Sequence, residues 1–222
     1  MTVVLETTEG EPPLPERPAP QAAGVNAGRR VPAAALTDRA LADWVRTHGV
    51  SVTARGEHDL DLVRFHHIRA VQVVYRCGPD RAATSRAVGL GVSRFIGDTA
   101  EQMARVGDCV HTKKYLYLDD QAPLMLGDRW LKVIGLHTDV KDAGNPAAWA
   151  SAARLLMSRS AVLAACGSPV NRIDLSGGPI QEWLGDATYV GAVVAAVDEA
   201  LGDECGRWNL QRPAVTVAAL TA

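Results

Sequence analysis

Charge of one sign is missing from this chain: a formal net charge of −2 over 222 residues leaves no electrostatic footprint for nucleic acid or an anionic membrane. Long apolar runs are missing too, none approaching the roughly 18 residues a membrane span needs. The opening Met1-Thr2-Val3-Val4-Leu5-Glu6 has neither the basic start nor the apolar stretch of a secretory leader. These absences make a cytoplasmic protein with no nucleic-acid or membrane partner the expectation. Cysteine is sparse and scattered, as Cys77, Cys109, Cys166 and Cys205 without a Cys-x-x-Cys pair, which argues against a zinc site or a disulfide framework and for reduced structural thiols. Lysine is scarce as well: there are four, and the first is Lys113.

What is present suits a single α/β barrel. The length is close to that of one unembellished (β/α)₈ unit, and 47% hydrophobic content can fill its core. Residues 1 to 30 are set apart. Stretches such as Glu11-Pro12-Pro13-Leu14-Pro15-Glu16-Arg17-Pro18 carry too little apolar surface to offset the entropy of ordering them, so this part is expected to be a Pro/Gly-rich disordered tail. Residues 31 to 222 are expected to form the barrel.

Strand and helix signals alternate through that second part. Strands are expected near Val31 to Ala35, Val50 to Ala54, Val71 to Tyr75, Arg94 to Gly97, Lys114 to Leu118, Leu131 to Leu136, Asn171 to Leu175 and Ala214 to Ala219. Helices are expected from Thr37 to His48, Glu57 to Phe65, Asp80 to Leu90, Thr99 to Val106, Pro146 to Ala165 with Asn145 as N-cap, and Thr188 to Leu201. Between the fifth and sixth strands lies only Asp119 to Trp130, too short for a crossover helix with two loops. The barrel is therefore expected to be trimmed there, its flank covered by Leu124, Met125, Leu126 and Trp130 or by a partner protein.

Two segments end β-branched runs in polar residues and glycine, as barrel strands do when they deliver a site to the C-terminal rim. They are Gly135-Leu136-His137-Thr138-Asp139-Val140 and Arg172-Ile173-Asp174-Leu175-Ser176-Gly177-Gly178-Pro179. Both resemble motifs of the pyridoxal-phosphate decarboxylases of the alanine-racemase-like fold, diaminopimelate decarboxylase most closely. There, Gly-Leu-His-Ser-His-Ile-Gly-Ser carries the histidine that stacks on the cofactor, and Asp-Leu-Gly-Gly-Gly wraps its phosphate. The resemblance continues upstream through Val71 to Asp80, Ala87 to Thr99 and Ala40 to Gly49.

The resemblance implies a pyridoxal-phosphate-binding barrel connected with amino-acid metabolism, but also a damaged site. Asp139 stands where the stacking histidine belongs. Counting back from Trp44 puts the Schiff-base lysine at Ala34, and the ring-nitrogen glutamate falls near Ala218, in Ala214 to Ala222 where the chain stops. An alanine methyl can neither hold an aldehyde as an imine nor hand it on. The β-rich second domain of the decarboxylases would follow residue 222.

Three functions are therefore open. The first is a non-catalytic barrel that partners or modulates a decarboxylase relative or another biosynthetic enzyme, or that self-associates. The second is an enzyme of altered chemistry, with a metal or no cofactor, at the rim of His137, Asp139, Lys141 and Asp142, where Lys141 would be the only candidate for a relocated Schiff base and Asp98 or Asp119 could add a ligand. The third is noncovalent binding of a small molecule, phosphate or free pyridoxal phosphate at Ser176, Gly177 and Gly178, whose backbone N–H groups can approach an anion. A tight strand-to-helix turn would need the same glycines.

Overall fold

A computed structural model describes residues 26–27, 30–127 and 129–222. Of the expected tail, residues 1–25 lie outside the described residues. The strands are β1 (Asn26–Ala27), β2 (Arg30–Pro32), β3 (Ser51–Ala54), β4 (Val73–Arg76), β5 (Arg94–Gly97), β6 (Lys114–Asp119), β7 (Leu131–Asp139), β8 (Arg172–Ser176) and β9 (Ala214–Ala218). All neighbours pair in parallel, in the order β1-β9-β8-β7-β6-β5-β4-β3-β2. Because β1 and β2 are consecutive pieces of one chain segment, the ladder returns to its start. The result is a (β/α)₈-type barrel whose first position is shared by two short strands.

The helices are α1 (Arg39–His48), α2 (Glu57–Phe65), α3 (Arg81–Gly89), α4 (Ala100–Cys109), α5 (Pro146–Ala165), α6 (Ile180–Gly185) and α7 (Ala187–Trp208). Their starts are set by caps visible in the sequence. Asp38 accepts from the N–H groups of Ala40 and Leu41, Asp80 from Ala82, Thr99 from Gln102 and Asn145 from Ala147. Gly49 and Asn209 close α1 and α7 in the left-handed conformation. The span of α7 exceeds the expected Thr188 to Leu201 by about two turns at its C-terminal end, and the short α6 was not anticipated.

Two expectations are corrected. The barrel starts at Asn26, ahead of the boundary drawn at Val31, and the buried Arg30 belongs to β2 rather than to a tail. The first strand ends at Pro32, and Ala33–Thr37 form a 3-10 turn, so Ala34 is an exposed turn residue instead of a strand residue. Pro32 ends the ladder because it has no N–H to donate. The shortened connection between β6 and β7 agrees with the sequence: among its described residues it contains no helix, Met125 and Trp130 pack on the core, and Leu126 is 61% exposed.

The main core lies between the strands and the outer helices, as in all barrels of this kind. Along β8 the period-2 alternation sends Ile173 and Leu175 to that core and leaves Arg172, Asp174 and Ser176 on the interior face. Inside the barrel the apolar content is small, namely Val74, Ile96 and Tyr117 with Ile134 against them. Gly135 makes room for Tyr117, whose ring would lie 2.8 Å from an added Cβ.

After β8 the chain turns at Gly177 and Gly178 over an aromatic cluster. Trp149 of α5, Trp183 of α6 and Tyr189 of α7 meet edge to face, with ring centroids 5.3 and 5.8 Å apart. Their polar atoms are all satisfied by backbone carbonyls, Trp149 Nε1 and Tyr189 Oη donating to Ala143 and Trp183 Nε1 to Gly177. A Cβ on Gly177 would sit 2.9 Å from the Trp149 ring and 3.0 Å from the Ala143 methyl. Gly177→Ala is expected to cost about 1–3 kcal/mol through overpacking, read as a lowered denaturation midpoint in urea; an unchanged midpoint would mean the aromatic cluster yields freely.

Candidate functional site: an ion network inside the barrel

Strand register alone lines up three ionisable residues. Asp119 of β6 is the neighbour of His137 on β7, and His137 is the neighbour of Asp174 on β8. Neighbours in parallel strands project to the same face, so all three enter the barrel interior, where they are 4%, 1% and 1% exposed. Two residues further along β7, Asp139 projects to that face again, nearer the C-terminal mouth.

Arginines from the opposite side of the barrel complete the network. Arg76, the last residue of β4, donates to Asp139 Oδ2 at 2.5 Å and to Asp119 Oδ2 at 3.1 Å. Arg30, the first residue of β2, is ion-paired with Asp174 and donates to Ser176 Oγ at 3.0 Å. His137 joins the two halves. Its Nδ1 lies 2.8 Å from Asp174 Oδ2 and its Nε2 lies 3.1 Å from Asp139 Oδ1.

The electrostatics follow from burial against pairing. Burial alone would raise the Asp174 carboxyl, but Arg30 and His137 outweigh it and hold the group below its ordinary value of 3.8. Asp139 is treated the same way by His137 and Arg76 and is lowered to about 2. Burial would lower His137, yet Asp174 and Asp139 prevail and raise it above 6.5. Asp119 moves in the opposite direction: burial and a hydrogen bond with Asp120 raise it above 3.8, against His137 and Arg76. The network thus holds the imidazole between two carboxylates, which favour its charged form.

The rim residues expected from the sequence divide into two sets. The structure brings Asp119, His137, Asp139 and Ser176 together and joins Arg76 to them. It leaves Lys141 and Asp142 exposed in the loop after β7, where neither side chain joins the network, which corrects the expected His137/Asp139/Lys141/Asp142 cluster. Among the described residues no group of three His, Cys, Asp or Glu side chains is placed to hold a metal ion, so the alternative of a metal centre with Asp98 or Asp119 finds no support. Cys77 belongs to the outer core, and burial pushes its thiol up to about 12, an inert residue rather than a nucleophile.

The Ser176-Gly177-Gly178 turn commits part of its hydrogen-bonding capacity to the fold. Gly177 N–H donates to the Ala218 carbonyl at 2.9 Å, Pro179 has no N–H, and Ile180 N–H donates to the Thr221 carbonyl at 3.0 Å. Ser176 Oγ is engaged by Arg30. Its glycines are accounted for by close packing on Trp149 and by the positive φ of 67° at Gly178.

Two members of the network, Arg30 and Asp174, escaped sequence reasoning. Asp174 carried a readable signal, since its period-2 partners Arg172 and Ser176 on β8 put three polar residues in a row on one face of a buried strand. Arg30 carried none, because it borders a polar tail and its strand is three residues long.

No protein-family model matches the chain, and no curated protein matches it by sequence. Solved structures do match it in fold. Diaminopimelate decarboxylase from M. jannaschii, in complex with L-lysine, superposes with a TM-score of 0.72 at 9% identity, covering 88% of this chain and 53% of that one. SrLDC, in complex with PLP and cadaverine, gives 0.68 at 16% identity over 88% and 54%. The arginine decarboxylase of Paramecium bursaria Chlorella virus gives 0.67 at 12% identity over 88% and 57%. The chain has the barrel fold of these decarboxylases and spans about half their length.

The pH dependence of stability follows from the shifts. Asp139 and Asp174, both depressed on folding, contribute stability present above 3.8 and lost as pH falls through their folded values, about 2 for Asp139. His137, raised on folding, contributes stability present below 6.5 and lost as pH rises above that. Asp119, raised, softens the acid side. The melting temperature is expected to peak between these limits, and His137→Gln is expected to flatten the alkaline fall; the same fall in that variant would remove His137 as its cause. Asp174→Ala, which leaves Arg30 buried without its carboxylate, is expected to cost roughly 3–5 kcal/mol, and a loss below about 1 kcal/mol in chemical denaturation would show that the network does not hold the barrel.

Proposed function

We propose that this protein is a decarboxylase-like barrel that does not carry out pyridoxal chemistry and acts instead as a partner or modulator of an amino-acid decarboxylase or another biosynthetic enzyme. The observation that carries the reading is the closed ion network at the C-terminal mouth, the end at which barrels of this class place their chemistry. Asp139, at the position that resembles the stacking histidine, is tied to Arg76 and His137. A carboxylate fixed in this way offers no face to a pyridine ring.

The residues present do not fit pyridoxal phosphate. The buried residues at the end of the first strand are Val31, Pro32 and Ala33, followed by the exposed Ala34, so a slip in register there still finds no lysine. Lys113 and Lys114 lie at the start of β6, at the opposite end of the barrel, and Lys141 is exposed outside the network. In the turn that resembles the phosphate cradle, Gly177 N–H donates to the Ala218 carbonyl and Ser176 Oγ accepts from Arg30. Ala218 is buried at the end of β9 and brings no carboxylate to a ring nitrogen.

An enzyme of altered chemistry is the weaker reading. His137 between two carboxylates resembles an acid–base arrangement, but at 1% exposure it has no surface to offer a substrate. The exposed Leu124 and Leu126 on the shortened β6–β7 connection give a partner an apolar place to rest.

The test is direct. The purified chain is mixed with pyridoxal phosphate, its absorbance recorded between about 320 and 450 nm, a window for imine and free aldehyde forms, and the mixture reduced with borohydride and analysed by mass. The expected result is no pyridoxyl adduct; a reducible adduct at Lys141 would overturn the proposal. The chain is then co-expressed with a full-length decarboxylase from the same cell, where co-elution with altered decarboxylase activity is expected, and two separate species with unchanged activity count against a modulating role.

A further inference from the structure

The N-terminal end of the barrel, opposite the ion network, holds a cavity of ≈ 200 Å³ lined by Arg30, Ser51, Val74, Arg94, Tyr117, Arg172 and Thr216. Its position follows from the register: Arg30, Ser51, Arg94 and Arg172 are the first residues of β2, β3, β5 and β8. Val74 and Tyr117 of the interior apolar group form part of its wall. Three guanidinium groups therefore converge on one space, and among the described residues lining it there is no carboxylate.

Local pairing does not account for these charges. Arg30 spends its terminal nitrogen on Asp174 and Ser176, and its Nε is buried with no hydrogen-bond partner, although the residue is only 4% exposed. Arg94 donates to neutral oxygens alone, the Val71 carbonyl at 2.5 Å and Ser51 Oγ at 3.5 Å. Arg172 is exposed at the mouth and takes part in none of the barrel's ion pairs. Burial draws the Arg94 guanidinium below its ordinary value; Tyr117 and, more weakly, Asp174 oppose this, while Arg30 and Arg172 add to it by repulsion. A buried donor without a partner costs free energy, and like charges gathered around an open space cost more, unless an anion occupies it.

We propose that this N-terminal mouth binds a compact dianion, a phosphate ester or a short dicarboxylate. Its double negative charge would sit between Arg94 and Arg172, within reach of the unpartnered Nε of Arg30, with the hydroxyl groups of Ser51, Thr216 and Tyr117 around it. Forked guanidinium groups are suited to such planar or tetrahedral oxyanions. The cavity is too small for a nucleotide and its walls carry too little apolar surface for an aromatic cofactor. This site is independent of the reading given for the C-terminal end.

The experiment is calorimetric titration of the full chain with inorganic phosphate and, separately, with malonate, at low salt. Saturable binding with one site per chain is expected, and the tighter of the two anions identifies the ligand class. Arg172→Ala, which alters an exposed residue, and Arg94→Ala are each expected to weaken binding about tenfold or more, in keeping with the loss of a charge-assisted pair. Arg172→Glu should abolish it, while circular dichroism shows the fold retained. Absence of saturation by either anion up to about 10 mM overturns the proposal. So does binding that both alanine variants leave unchanged, which would place the anion elsewhere, for instance at the Gly177–Gly178 turn.

Discussion

The pairing of Arg30 with Asp174, extended through His137 to Asp139 and Arg76, is the constraint on which the interior of this barrel depends. Parallel barrels ordinarily fill their centre with layers of branched apolar side chains. Here only Val74, Ile96, Tyr117 and Ile134 do so, and charged groups take the remaining space. Charges buried to this depth are tolerable only when each finds its counter-charge. The segment Asn26–Pro32 closes the barrel by pairing with β9 on one side and β3 on the other, and its Arg30 is also the counter-ion of Asp174 on β8. Closure and charge balance are in this way the same event.

Outside the strands the physics is conventional. Amphipathic helices with side-chain caps cover the barrel, and the aromatic group of Trp149, Trp183 and Tyr189 supports the turn after β8. That turn has the appearance of a phosphate loop in sequence and the close packing of a corner on an indole ring in space. The same two glycines satisfy both descriptions because small size serves equally for approach to an anion and for approach to an indole ring.

The two ends of the barrel have acquired opposite characters. At the C-terminal end positive and negative groups pair with one another in a single network. At the N-terminal end Arg30, Arg94 and Arg172 surround a cavity with no carboxylate among its described lining residues. Arg30 touches both, donating to Asp174 and Ser176 on one side and lining the cavity on the other.

Much of the fold could be read from local pattern. The caps at Asp80, Thr99 and Asn145, the Pro146 start of α5, seven of the eight barrel positions and the missing helix between β6 and β7 are all decided within a few residues of sequence, because capping and period-2 alternation are short-range effects. The residues able to carry charge at the C-terminal rim were also visible, as was the lack of any lysine before Lys113. Which of them meet was decided only in three dimensions. Arg30 finds Asp174 across 144 residues and Arg76 finds Asp139 across 63, separations over which no local propensity operates. The sequence by itself determined a parallel barrel with polar strand ends; tertiary structure decided that those ends pair into a network at one mouth and leave three guanidinium groups together at the other, because strand register and barrel closure bring distant side chains to a common interior.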